Sequence, residues 1–168
     1  LSEHLLRSGY SQAGLSLLMS ITDDSGAYLK ARTIAAQHKI VNRQYSDALE
    51  ILASTEKISE SGNLLKQLTA ESLYNLSRYA EAAEAAEQDL EKNPYHHRSG
   101  FFLSASLLNI HRSNRAKISE NEQKIRSGLN EYLKLNERDG EPYLHLADLD
   151  HLLGNDENIY DLICKART

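Results

Sequence analysis

A single cysteine, Cys164, serves the whole 168-residue chain. No internal disulfide framework and no cysteine-based zinc site can form from it. Within its apolar run, YDLICKA, Cys164 is expected to be a small buried hydrophobe, which fits a reducing compartment. Two prolines and eight glycines are too little punctuation for many short strands. No apolar run approaches the ~20 residues that span a bilayer, so no membrane insertion is expected. The first residues, LSEHLLRSGY, lack the basic n-region and apolar h-region of a signal peptide. Basic charge is also in deficit: a net charge of −5 argues against general affinity for nucleic acid or anionic membranes. A cytoplasmic location is the resulting expectation.

What is present is an ordinary folded composition, 40% hydrophobic and 26% charged, with an internal period. The segment RYAEAAEAAEQDLEKNP (78–94) has a relative in NRQYSDALEIL (42–52). Tyr79 answers Tyr45 and Ala82 answers Ala48, both 34 residues apart. RSGYSQAGLSLL (7–18) supplies a third Tyr-x-x-Ala at Tyr10 and Ala13. Downstream the period loosens: Ala116 falls 34 after Ala82, but Ser113 replaces the tyrosine. Nine extra residues enter within SNRAKISENEQKIRSG (113–128), where Ser119 and Glu122 form a capping-box signature for a helix start. Apolar residues at helical spacing lie between the tyrosine motifs, as in LLKQLTAESLYNL (64–76) and FFLSASLLNI (101–110). The spacing predicts ten helices in five pairs: 1–7 with 11–22, 27–41 with 46–58, 62–76 with 80–92, 96–111 with 119–136, and 141–153 with 156–167.

On these residues the chain resembles the tetratricopeptide repeat family, whose unit is a 34-residue helix-turn-helix. The unit at 63–94 matches at Ala70, Leu73, Tyr79, Ala82, Ala86, Leu90 and Pro94. The unit at 29–62 offers Ala36, Tyr45, Ala48 and Leu52, and the last offers Tyr143, Leu146, Ala147, Gly154 and Ala166. The copies depart from the pattern: there is no tryptophan, only one copy ends in proline, and Asp89 stands where a small residue is typical. Other helical-pair repeats stay open for that reason. The implied fold is an all-α superhelix, a solenoid of about five helix-turn-helix pairs. Its units are approximately 1–26, 27–60, 61–94, 95–139 and 140–168, in one repeat domain. The chain opens in mid-repeat without an initiator methionine, so it is expected to be a piece of a longer protein. Self-association through the exposed apolar face of the first repeat is a further expectation.

A solenoid needs small residues where helices approach to ~8 Å, and Ala36, Ala48, Ala70, Ala82, Ala86 and Ala147 meet that need. The tyrosines suit a wedge at each intra-pair turn with a wet hydroxyl. Glu81, Glu84, Glu87, Asp89 and Glu91 read as a solvated outer side.

The resemblance implies a non-catalytic interaction scaffold with a protein or peptide partner and no cofactor. It also places a concave groove on the first helix of each pair. Those turns present Lys30, Thr33, Gln37 and Ile40, then Leu64, Gln67, Glu71, Tyr74 and Asn75. Next come Arg98, Phe101, Ala105, Leu108 and Asn109, then Leu144, Asp148 and His151. Tyr74, Phe101 and Leu108 would give an aromatic and apolar centre, with Arg98, Glu71 and Asn109 orienting a backbone or charge. The competing reading puts Phe101 and Phe102 both in the core; against it, one of two adjacent aromatics must point away from the main packing stripe. Family members that clamp a C-terminal carboxylate do so with Lys, Asn and Arg. The corresponding positions here are Thr33, Gln37, Leu68, Arg98 and Phe102, and one basic residue is too few.

Two rival functions were weighed against the scaffold. One is a regulatory or targeting domain of a larger enzyme or assembly. The other is nucleic-acid or polymer binding through the basic stretch 98–126, with Arg98, Arg112, Arg115, Lys117, Lys124 and Arg126 against Glu120 and Glu122. A solvated irregular loop is the plainer account of that stretch. Glu141, His145 and Asp148 share a helix face and could ligate a metal, but no stronger ligand motif accompanies them. His96, His97 and His111 read as cap or surface residues, and no phosphate loop or nucleophile elbow occurs.

Overall fold

The structure is a computed structural model that describes residues 11–22, 25, 27–56 and 63–167. Tyr10 and the helix expected over 1–7 lie outside the described residues, as does the Leu64 side chain. Every regular element among the described residues is helical. In chain order they are α1 (Ser11–Met19), α2 (Tyr28–Val41), α3 (Tyr45–Glu56), α4 (Asn63–Asn75) and α5 (Tyr79–Lys92). Then follow α6 (His97–His111), α7 (Arg115–Leu133), α8 (Gly140–Leu153), a 3₁₀ turn (Asp156–Asn158) and α9 (Ile159–Lys165).

Each helix packs on the next, and the first helices α2, α4, α6 and α8 also touch one another in order. No run of second helices α3, α5, α7 and α9 packs to a comparable extent. One row closer than the other bends the stack, so the first helices form its inner wall. This is the all-α solenoid that the period predicted.

The alanines explain the close approach. Ala36, Ala48, Ala70, Ala82 and Ala86 are fully buried, and Ala147 nearly so. Alanine is also the best helix former, which suits the alanine-rich α5. That helix stops where Asn93 precedes Pro94, a step that disfavours helical geometry for the residue before proline.

The repeat is written in the backbone as well. Arg43 and Ser77, 34 residues apart, both take the left-handed conformation, at φ 58° and 59°. Around them the hydrogen bonds are the same: Arg43 N–H to Ile40 O and Gln44 N–H to Lys39 O, then Ser77 N–H to Tyr74 O and Arg78 N–H to Leu73 O. Gly154, at φ 78°, closes α8 identically, with Asn155 N–H reaching Asp150 O. These are Schellman-type helix ends, and two of the three are made without glycine, at a cost of about 1 kcal/mol each.

Three sequence expectations are corrected. The fourth pair's second helix begins at Arg115, not 119, because the Asn114 side chain accepts from the Lys117 N–H and caps it there. Ser119 and Glu122 are therefore interior helix positions, and the extra residues form a 19-residue helix rather than an irregular loop. Asp89 is fully buried instead of solvated: it falls on the alanine side of α5 and accepts from Ser99 Oγ at 2.5 Å and from His96 Nδ1. Cys164 is exposed, since α9 turns that side of the last helix outward.

The core divides in two, and α4 belongs to both parts. Leu65 and Leu68 join the cluster of Leu18, Ala31, Ala35, Ala36, Ile51 and Leu52. Ala70 and Leu73 join the larger cluster of Phe101, Phe102, Leu108, Ile118, Ile125 and Leu129. In the fourth pair glycine replaces alanine at the helix crossing. A Cβ on Gly128 would lie 2.6 Å from the Gly100 carbonyl oxygen and collide with Ser104 Oγ.

Candidate functional site

Helix α4 sends one apolar stripe into the two cores, and its neighbouring stripe, Gln67, Glu71, Tyr74 and Asn75, meets the adjoining first helices. Glu71 is buried and accepts from Gln67 Nε2 at 3.3 Å and from Arg98 of α6 at 2.6 Å. The Arg98 side chain stays half exposed while its carboxylate partner is almost covered. Asn75 turns back to donate to the Glu71 carbonyl at 2.8 Å.

Beside this pair lies an aromatic cluster. The Tyr74 ring packs 5.6 Å from Phe102, 6.4 Å edge-on to Phe101 and 5.6 Å from Tyr79. Phe101 in turn packs 4.9 Å from Tyr132 of α7. The Tyr74 hydroxyl pairs with His145 Nε2 of α8 at 3.0 Å, and Tyr132 donates to Asp139 Oδ2 at 3.0 Å. Burial first, and then the negative charge of Glu141, holds the Tyr74 phenol well above its ordinary pKa. Tyr132 is pushed up to about 12 by burial and by its bond to Asp139. Both phenols are held neutral and act as hydrogen-bonding groups. A cavity of about 250 Å³ opens here, between Glu71, Tyr74, Arg98, Phe101, Tyr132 and Glu141, with Val41 at its rim.

The expected groove residues divide by this geometry. Lys30 and Gln37 are exposed on α2, and Asn109 is half-buried and donates to Ala105 O of its own helix. Gln67 and Glu71 are buried against α4's neighbours, and Tyr74 is half-buried. Phe101 and Leu108, expected as exposed groove surface, are core residues, 4% and 0% exposed. The reason is the tight approach of α6 to α4 and α8, which leaves the apolar stripe of α6 no open side. Asp148 is tied to Arg112 at 2.8 Å. The inner wall is thus stitched across successive pairs by Glu71–Arg98 and Arg112–Asp148, and from the third pair to the fifth by Tyr74–His145.

The basic stretch is corrected too. It is no projecting loop, and its cations are engaged: Arg115 with the Leu153 carbonyl, Lys117 with Glu120, Lys124 with Glu87, and Arg126 with Glu122 and Asp150. Nor do the candidate chemical groups assemble. His145 lies 3.6 Å from Glu141, but Asp148 faces Arg112 instead. Asp89, His96 and Ser99 bring hydrolase residue types together in the wrong order. Ser99 is buried and donates to Asp89 Oδ2 at 2.5 Å, with His96 Nδ1 farther off at 3.4 Å, so the serine–imidazole–carboxylate order of a hydrolase triad is not made.

Tyr132 and Asp139 escaped the sequence reading altogether. Tyr132 lies on the longest helix among the described residues with no periodic partner, and Asp139 stands just before α8, where it accepts from the Glu141 N–H.

Sequence comparison finds no matching family model and no matching curated relative. Solved structures do resemble the fold. MamA (41-end) from Desulfovibrio magneticus RS-1 has a TM-score of 0.74 at 13% identity, over 99% of this chain and 89% of that one. YrrB, described as a TPR protein with an unusual peptide-binding site, has a TM-score of 0.71 at 13% identity, over 98% of this chain and 80% of that one. MamA AMB-1 has a TM-score of 0.66 at 16% identity, over 99% and 86%. The chain therefore has the tetratricopeptide-type solenoid fold, with degenerate repeats. No helix among the described residues is long and apolar enough to cross a membrane.

Proposed function

We propose that this chain is a non-catalytic scaffold that holds a segment of another protein against the inner wall formed by α2, α4, α6 and α8. The observation that carries this reading is the cavity beside the Glu71–Arg98 pair, where an apolar and aromatic floor meets a half-exposed guanidinium. That combination, a desolvated floor with a few directed polar groups, is what an extended segment needs for orientation. The peptide-binding site named for YrrB, which shares the fold, supports the same reading. Lys30 and Gln37 extend the surface along α2. The basic residues of 98–126 support a nucleic-acid partner less well, because acidic residues and a helix end already engage them.

The test is selection of peptides from a displayed random library, followed by substitution on each side of the stack. Tyr74→Ala and Lys30→Glu, both on the inner wall, should each weaken the selected peptides about tenfold or more, the size expected for a contact at the centre of an interface. Glu84→Lys on the outer side should leave affinity unchanged. Equal binding by the inner-wall variants, with loss in Glu84→Lys, would move the site to the outer side.

A further inference from the structure

We propose that the cavity between α4, α6 and the start of α8 receives one basic side chain, arginine or lysine, from the bound segment. This deepens the scaffold reading and rests on it. At about 250 Å³ the cavity falls below the ~300 Å³ at which small-molecule sites begin, so it suits a single side chain. Its walls are aromatic: Tyr74, Phe101 and Tyr132 line it, and ring faces attract cations.

Its charges favour the same guest. Glu71, Asp139 and Glu141 face the cavity against one cation, Arg98. Arg98 is committed to Glu71, which leaves the excess negative charge at Asp139 and Glu141. Asp139 accepts from the Tyr132 hydroxyl and from the Glu141 N–H, two bonds on a group with room for about four. Glu141 sits half exposed at the mouth, with His145 at 3.6 Å. The two phenols report the same field, since Glu141 raises the pKa of both Tyr74 and Tyr132. Val41, 81% exposed at the rim, offers apolar surface to the methylene stem of a long basic side chain. An acidic guest would meet two carboxylates and a guanidinium already paired with Glu71.

Fluorescein-labelled decapeptide pools, random except for a central arginine, lysine, citrulline, norleucine or glutamate, decide the matter by fluorescence polarisation. The arginine and lysine pools should bind about tenfold or more tightly than the other three, citrulline included, because charge and not shape is read. Glu141→Lys, at an exposed position, should erase that preference while circular dichroism shows the helices intact. Equal binding of all pools, or preference for glutamate, overturns the basic anchor and leaves the scaffold standing. Basic preference that survives Glu141→Lys also overturns the anchor. Binding by none of the pools overturns both readings.

Discussion

The two halves of the stack fill one repeat template with different material. From α1 to the start of α4 the core is alanine and aliphatic: Ala31, Ala35, Ala36 and Ala48 against Leu18, Ile51 and Leu52. From α4 onward the core keeps its alanines, Ala70, Ala82, Ala83, Ala85, Ala86 and Ala105, and adds two phenylalanines, with a glycine crossing at Gly100 and Gly128. The ion pairs differ in reach as well. Lys39–Asp47 and Lys66–Glu56 join helices consecutive in the chain, whereas Arg98–Glu71, Lys124–Glu87 and Arg112–Asp148 reach past an intervening helix. Small residues let backbones approach closely. Where the rings meet the end of the first core, aromatic and charged side chains surround one cavity. The candidate site lies at that change of material.

Substitutions that exchange the two kinds of packing should break the comparison most sharply. Leu108→Ala empties a fully buried position of the second core and should cost about 2–5 kcal/mol. Ala36→Leu overfills the first core and should cost about 1–3 kcal/mol. In a solenoid each unit contacts only its neighbours, so hydrogen exchange should localise each loss. Leu108→Ala should deprotect α6 and α7 and spare α2 and α3, with the reverse for Ala36→Leu. Equal loss throughout would mean that the halves act as one cooperative unit.

A smaller effect should separate the halves by pH. Tyr74 and Tyr132 belong to the second half and have raised folded pKa values. A raised phenol pKa gives stability that is complete below the unfolded value of 10.0 and is lost as pH climbs toward about 12. Thermal melts across that window should fall in the native chain and fall less in Tyr132→Phe. Parallel pH profiles for the two would refute the neutral-phenol account.

Smallest of all should be the exposed ion pairs. Lys124→Ala, which breaks a pair half exposed on both sides, should change stability by about 0.2–1 kcal/mol in a denaturant melt. A larger loss would show that links between pairs hold the second half together more than its core does.

Spacing alone made the architecture legible. Tyr45 and Tyr79 marked the turns, and Arg43 and Ser77 take the same left-handed geometry there. The six alanines named from their positions are buried. The site was legible only in part. Glu71, Tyr74 and Arg98 could be placed on the inner row from the repeat, but Leu108 is buried in the core, and Phe101, open between groove and core in the sequence, is buried while still lining the cavity. Helical periodicity says which residues share a stripe, and not whether a helix of the adjoining pair covers it. Tyr132 and Asp139 belong to the same unit as Arg98, but neither falls at a position that the period marks. Asp89 sat in a run of acids, and only His96 and Ser99 reveal why it turns inward.

The sequence by itself determined helix, turn and period, because each depends on residues within a few positions of one another: alanine for close approach, asparagine and glycine for helix ends, proline for a stop. Tertiary structure decided the curvature, the burial of the α6 stripe, and the meeting of rings and carboxylates around one cavity. Those depend on contacts between residues up to 71 positions apart, as Tyr74 and His145 are, and no local pattern encodes the distance between two helices.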